Sequence, residues 1–281
     1  MLWKNTIIEW KDRESWCSVL TSWISPYLAG RGVQALQEMG YQDICWDDSD
    51  WLKKLELVAA VDLEDLVELL SNALVSTYIK AYHGCRVENA GVYHRYGILV
   101  NNPDDLAIQV KRLVNEEDRL ASFRPRIEQM LLEFKNLSYD RERLYLALDD
   151  RILTDRDGHY LIYGSESILG ILGEDAHEVL SKRGIPTLVH VQLPIRLVAA
   201  GDRMELAKTL IQEWTRIIVN LPSKVSKSEV PKKDLTFCLQ ENVSPNLIVA
   251  HSHPKRIHDP LHYGIWHKAA KIVCASCQSD L

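Results

Sequence analysis

One short stretch constrains this chain more than any other: residues 82–86 read YHGCR. They follow residues 75–79, VSTYI, whose β-branched and aromatic side chains favour a strand. Gly84 lets a flat ligand lie against the backbone because it has no Cβ, and its N–H and C=O are then free to pair with an amide. His83 can hydrogen-bond a hydroxyl. An isolated His-Gly pair is usually a buried strand histidine before a turn, so its interpretation depends on the rest of the chain.

The composition is that of an ordinary soluble globular protein, with 281 residues, 46% of them hydrophobic and 26% charged. A chain of this length can form one large domain or two. Its net charge of −6 argues against a general nucleic-acid coat protein. No apolar run is long enough to span a bilayer, and the first residues do not resemble a signal peptide. We therefore expect a cytoplasmic protein with reduced cysteines and no membrane contact.

Residues 1–74 differ from the remainder because they are acidic and hold six of the eight tryptophans. Trp3 and Trp10 are seven residues apart, as are Trp16 and Trp23, which is typical of one helical face. We interpret these tryptophans as a helical core. The alternative is a docking surface for a partner protein, since tryptophan is favoured at interface hot spots.

From residue 75 onward the pattern predicts alternating strands and helices. A helix N-cap is expected at Asp62, just before this change, and the Asp157-Gly158 dipeptide is a hairpin signal. The predicted strands are 96–100, 159–163, 187–193 and 234–239, and the predicted helices are 104–117, 123–136, 139–149, 165–183 and 203–219. The sequence thus predicts an α+β protein, with a helical region at 1–74 and a second domain at 75–281.

Three motifs in the second domain resemble those of the ADP-ribosyltransferases, in the clade that contains diphtheria toxin and the poly(ADP-ribose) polymerases. A His-Gly strand is followed by a Gly-Ile/Leu strand in that clade, and residues 97–99, GIL, follow here. The second motif is a strand tyrosine before a helix, which residues 159–166, HYLIYGSE, fit. The third is an acidic residue that begins a late strand, for which residues 234–239 are the candidate. The resemblance covers about residues 75–260.

The resemblance implies a mixed split β-sheet domain that binds NAD as a substrate. The implied activity is mono-ADP-ribosyl transfer to a macromolecular acceptor, a protein or a nucleic acid, as in a toxin or effector. The bond between nicotinamide and ribose breaks, and the ribose carbon becomes oxocarbenium-like, as in glycoside hydrolysis. With water as the acceptor, the same site would be an NAD glycohydrolase.

The resemblance also assigns roles to individual residues. His83 would hydrogen-bond a ribose hydroxyl, and the backbone of Gly84 would pair with the nicotinamide carboxamide. Tyr163 would stack on the nicotinamide ring. Asp234 would meet the developing positive charge, although the family usually has Glu there, which leaves Glu241 as the alternative acid.

Three further residues complete the expected NAD-binding set: Cys85, Arg86 and Tyr160. Tyr160 competes with Tyr163 for the stacking role, because residues three apart on a strand face opposite sides. Tyr163 is preferred because Gly164 and the start of a helix follow it.

A different class of function comes from the C-terminal histidines and cysteines. His251 and His253, with the CxxC pair Cys274 and Cys277, could form a tetrahedral zinc site in a protein-interaction module. A second CxxC at finger spacing is missing, and two prolines interrupt the segment. The sequence therefore predicts no metal, and a zinc module is the alternative.

Overall fold

The computed structural model describes residues 2–4, 6–137, 141–221, 230–262, 264–269 and 274–278. Its helices and strands form an α+β protein, which confirms the predicted fold class. In chain order they are β1 (Ile7–Ile8), α1 (Cys17–Ile24), α2 (Gly32–Glu38), α3 (Asp50–Glu56), α4 (Leu63–Leu74), β2 (Tyr78–Val87), α5 (Gly91–Tyr96), α6 (Pro103–Glu116), α7 (Ile127–Leu137), β3 (Leu144–Ala147), α8 (Asp150–Asp155), α9 (His159–Ile162), α10 (Glu166–Leu172), α11 (His177–Lys182), β4 (Ile185–Pro194), α12 (Ala200–Asn220), β5 (Thr236–Leu239), β6 (Ile248–Ser252), β7 (Arg256–His258), β8 (Trp266–Lys268) and α13 (Ala275–Gln278).

The chain divides into two compact units. The first comprises Met1–Lys80 and Gln192–Leu235, and the second comprises Ala81–Val191 and Thr236–Leu281. The sequence predicted a boundary after residue 74, close to the first of these limits, but it did not predict that residues 192–235 belong with the N-terminal helices. None of the helices in the described ranges combines the length and the apolar character needed to cross a lipid bilayer.

The first unit is built around α12, which packs against α2, α3 and α4. The predicted helix at 203–219 is confirmed, with Leu206, Leu210 and Trp214 fully buried. Helix α4 begins as predicted, because the Asp62 side chain accepts a hydrogen bond from the backbone N–H of Glu64.

The tryptophans of this unit form part of its core. Those at positions 3, 10, 16 and 51 are buried, and the rings of Trp10 and Trp16 stack at 6.1 Å. The core interpretation is confirmed for these four, which have no surface to offer a partner. The helical spacing was wrong for Trp3 and Trp10, since both lie in turns on either side of β1.

The second unit contains a mixed sheet with the strand order β5-β3-β2-β4-β6, and β1 pairs in parallel with the first residues of β2. All four residues of β3 pair with β5, but among the residues that the structure describes β3 registers with β2 only at Ala147 and Tyr82. Strands β2 and β3 therefore separate immediately after Tyr82. One face of the sheet is covered by a core that α6, α7 and α9–α11 share, including Leu113, Leu131 and Leu161.

Several predicted elements of the second unit were wrong. Residues 144–147 form a strand within the predicted helix 139–149, and residues 150–155 form α8. The predicted strand 96–100 is reduced to one bridge between Ile98 and Val243, because α5 ends at Gly97 with φ +77°. The predicted helix 165–183 is interrupted at Gly173, where φ is +64°.

The predicted strand 159–163 is instead the short helix α9. Its composition favours a strand, but packing decides otherwise: a Cβ added to Gly158 would collide with the carbonyl oxygen of His258 on β7. Gly158 therefore brings the start of α9 against β7, and the Asp157-Gly158 dipeptide does not form the predicted hairpin.

Candidate functional site

His83 stands where β2 and β3 separate, one residue after the Tyr82–Ala147 pair. Its Nδ1 lies 3.2 Å from the carbonyl oxygen of Tyr145 on β3. A carbonyl can only accept, so Nδ1 carries the proton and Nε2 of the neutral ring is an acceptor. Burial lowers the pKa of His83, opposed in part by the hydrogen bond to Tyr145. The ring of Tyr93 on α5 meets the imidazole edge-on at 6.2 Å.

The second predicted motif packs onto the same strand as His83. A Cβ added to Gly84 would lie 3.6 Å from Cβ of Tyr160 on α9, on the face of β2 opposite the His83 side chain. One turn later, the position of a Cβ on Gly164 is 3.3 Å from Cβ of Arg86. Two motifs some 75 residues apart in sequence therefore meet at the His-Gly pair.

Cys85 and Arg86 are engaged by the protein itself. The Cys85 thiol donates to the carbonyl of Thr187 at 3.4 Å, and burial raises the pKa of Cys85 to about 12, so it stays protonated. The Arg86 guanidinium donates to the carbonyls of Arg183 at 2.7 Å and Leu161 at 3.1 Å, and to Ser181. These bonds join β2 to α9 and to the end of α11 and give Arg86 a structural role, while its contact with NAD stays a prediction.

Tyr163 is held in the core of the second unit. Its hydroxyl donates to Oδ2 of Asp259 at 2.6 Å and lies 3.2 Å from Nδ1 of His262. Its ring packs on His177 at 4.7 Å between centroids. Burial raises the pKa of Tyr163, and the Asp259 hydrogen bond adds to this rise. Because Tyr163 is only 5% exposed, its ring is poorly placed for the stacking role preferred from the sequence.

Tyr160 is half-buried and closer to the surface than Tyr163. Its hydroxyl donates to the exposed Glu166 at 2.6 Å, and its ring lies 4.1 Å from that of His159. The two tyrosines lie in and just after α9, not on a strand, and they differ in burial, because Tyr160 is half-buried and Tyr163 is only 5% exposed. The side-chain Nε2 of His159 is buried without a hydrogen-bond partner among the described residues.

The two candidate acids lie on either side of β5 and both are exposed. Asp234 is two residues before the strand and belongs to the first unit, whereas His83 and Tyr163 belong to the second. Glu241 follows β5 in the second unit. The structure therefore does not bring the three predicted catalytic residues into one described unit.

Sequence reasoning missed the cluster around Asp259. Asp259 is 5% exposed and binds Tyr163, the backbone N–H of Leu261 and, at 2.9 Å, Nδ1 of His262. Burial alone would raise the pKa of Asp259, but these hydrogen bonds outweigh it and hold the pKa below its ordinary value. No spacing pattern joins residues almost 100 positions apart, so the sequence carried no signal for this cluster.

The C-terminal histidines and cysteines that the sequence set aside also come together. One ligand atom from each of His251, His253, Cys274 and Cys277 lies within 4.8 Å of all the others. The two prolines do not prevent this, because the β7–β8 hairpin returns the chain between the two pairs. Burial raises the pKa of Cys274, but backbone N–H groups of its own turn and the His253 side chain outweigh burial and bring the pKa to about 7.

No protein-family model, curated protein or solved structure matches this chain.

Two kinds of chemistry are available from these arrangements. The His83 region offers a neutral imidazole acceptor, a glycine backbone and an aromatic ring at the place where a sheet divides. The His/Cys cluster offers two imidazoles and two thiols, which suits a soft or borderline metal ion.

Proposed function

We propose that this chain is an NAD-dependent mono-ADP-ribosyltransferase that cleaves the nicotinamide–ribose bond and passes ADP-ribose to a macromolecular acceptor. The observation that carries the proposal is the position of His83, fixed by Tyr145 at the point where β2 leaves β3. The order of the His-Gly pair, the tyrosines and the late acid along the chain supports the same activity, although the tyrosines lie in and just after α9 and not on the strand that the resemblance implies.

His83 would hold the ribose. Because Nδ1 donates to Tyr145, Nε2 accepts a hydrogen bond from a ribose hydroxyl. A hydrogen bond to a sugar hydroxyl next to the reacting carbon strengthens as that carbon gains positive charge. The neutral ring adds no repulsion toward the oxocarbenium-like carbon, and the lowered pKa of His83 keeps the ring neutral.

Gly84 and Tyr160 would hold the nicotinamide. Gly84 lies two residues after the Tyr82–Ala147 pair, and its backbone would pair with the carboxamide along the edge of β2 that faces β3. That edge lies between the two faces of the sheet, with the His83 side chain on one face and Tyr160 on the other. We assign the stacking ring to Tyr160, because it is half-buried and nearer the surface, whereas Tyr163 is buried in the core.

A carboxylate would stabilise the positive charge on the ribose. Asp234 and Glu241 remain the two candidates, and both are exposed. A carboxylate aimed at the reacting carbon acts in the transition state more than in the ground state.

NAD labelled in its adenosine half tests the proposal and separates its two forms. The purified chain is incubated with labelled NAD and a cell extract, with His83→Ala as the matched control. Label that appears on a macromolecule with the wild-type chain, but not with His83→Ala, indicates a transferase. Label released only as free ADP-ribose indicates an NAD glycohydrolase. Intact NAD after incubation, with and without extract, contradicts both.

A further inference from the structure

We infer that His251, His253, Cys274 and Cys277 form a four-coordinate zinc site that anchors the end of the chain. In a tetrahedral site with Zn–N and Zn–S bonds of about 2.0–2.3 Å, neighbouring ligand atoms are roughly 3.3–3.8 Å apart. Nε2 of His251 already lies 3.1 Å from Sγ of Cys277 and 3.7 Å from Sγ of Cys274. Small side-chain shifts complete the tetrahedron, because all four ligand atoms lie within 4.8 Å of one another.

Both imidazoles are oriented to bind through Nε2. Nδ1 of His253 donates to the carbonyl oxygen of Pro186 at 2.9 Å. Nδ1 of His251 lies 2.9 Å from Nε2 of His94 on α5. A metal-bound histidine usually engages its other ring nitrogen in this way, which fixes the tautomer and the ring orientation.

Nε2 of His253 provides an independent sign of a ligand. This atom is buried, and it has no hydrogen-bond partner among the described residues. A buried imidazole nitrogen without a partner is unfavourable, and it faces the two cysteines and His251. A metal ion at the centre of the four side chains would satisfy it.

The four donor atoms, two imidazole nitrogens and two cysteine sulfurs, favour a zinc ion with a structural role. Two thiolates with two imidazoles in a tetrahedral arrangement suit Zn²⁺, whereas carboxylate-free sites do not suit Mg²⁺ or Ca²⁺. Four protein ligands leave no position for water or substrate, unlike the three-ligand sites of zinc enzymes.

The site would connect α13 to the segment that follows the YHGCR stretch. Besides the His94–His251 contact, Oγ of Ser276 on α13 donates to Oδ1 of Asn89 at 2.9 Å, just before α5. Helix α5 also carries Tyr93, which meets His83. Zinc would therefore hold α5 and the C-terminal helix together at one end of β6. The inference does not depend on the NAD proposal, since none of the four ligands belongs to the proposed NAD-binding set.

Metal analysis of the purified full chain tests the inference. We expect one zinc per chain in the wild type and in Cys45→Ser, which removes an exposed cysteine far from the cluster in sequence. Cys277→Ser, also at an exposed position, should lose most of the zinc. His94→Ala keeps all four ligands but removes the partner of His251, so chelator competition should show zinc affinity about 10–100-fold weaker.

Cobalt replacement keeps the test decisive if a cysteine variant does not fold. Wild-type protein refilled with Co²⁺ should show the strong visible bands of a tetrahedral ion and a thiolate charge-transfer band in the near ultraviolet. Wild-type protein that contains no zinc and takes up none, or octahedral cobalt without a thiolate band, would overturn the inference. Equal zinc content in Cys277→Ser and wild type would also overturn it.

Discussion

The hydroxyl of Tyr163 donates a 2.6 Å hydrogen bond to Oδ2 of Asp259, a carboxylate that is only 5% exposed. The two residues are 96 positions apart, and the bond fastens the segment after α9 to the segment after β7. Through this hydrogen bond Tyr163 stabilises the second unit.

Tyr163→Phe should lower the free energy of unfolding by about 1.5–3 kcal/mol, because a buried carboxylate loses one of its donors. Urea unfolding at pH 7 measures the change. Tyr160→Phe is the matched control: it removes a hydrogen bond to the exposed Glu166 and should cost less than about 1 kcal/mol. Equal losses of unfolding free energy in the two variants would show that the hydrogen bond to Asp259 stabilises the protein no more than the exposed one to Glu166.

The stability of the protein should depend on the ionisation of Asp259. Its folded-state pKa lies below the ordinary value, so it stabilises the fold above the unfolded pKa of about 3.9. This contribution is lost as the pH falls through the folded pKa. Asp259→Asn should therefore be less stable than wild type at pH 7, with a difference that shrinks as urea unfolding is repeated toward pH 3. A difference that stays constant across this range would contradict the prediction.

Arg86 should prove structural and not part of the NAD site. Arg86→Lys cannot reach three carbonyls with one ammonium, so we expect a loss of about 2–4 kcal/mol in unfolding free energy. The KM for NAD of the folded variant should be unchanged. Arg112→Lys, at an exposed i,i+4 pair with Glu116, is the control and should change stability by less than about 0.5 kcal/mol. A raised KM with unchanged stability would restore the role expected from the sequence.

The catalytic acid can be identified by comparing two alanine variants. If Asp234 meets the positive charge, Asp234→Ala should slow nicotinamide release by about 10²–10³-fold with little loss of NAD affinity. Glu241→Ala should then be mild. The reverse result assigns the role to Glu241, and two mild variants would remove an acid at either position from the mechanism.

Local signals predicted the elements whose formation depends on local chemistry. The Asp62 cap, the apolar face of α12 and the β-branched run of β4 each carry their signal within one segment. Strand β3 was missed because its four apolar residues follow a charged stretch with helical composition. Helix α9 was missed because the contact of Gly158 with β7, and not the propensity of its residues, decides its conformation.

The candidate sites were predictable in their parts but not in their assembly. His83 and Gly84 were singled out because of the motifs that follow them, and their role at an NAD site stays a prediction. The Tyr163–Asp259 bond and the grouping of His251 with Cys274 depend on tertiary packing, for which one sequence has no pattern. The sequence offered all four zinc-type ligands as an alternative, and it set them aside because a second CxxC is missing and two prolines interrupt the segment.

Nicotinamide release from NAD by the purified chain tests the central claim most directly. Wild-type protein should release nicotinamide, and His83→Ala should release it about a hundredfold more slowly, because the ribose loses a hydrogen bond that strengthens in the transition state. His258→Ala, another half-buried strand histidine, should retain wild-type activity, and unfolding curves should show that all three proteins are folded. No nicotinamide from the wild type, or equal rates for wild type and His83→Ala, would contradict the account.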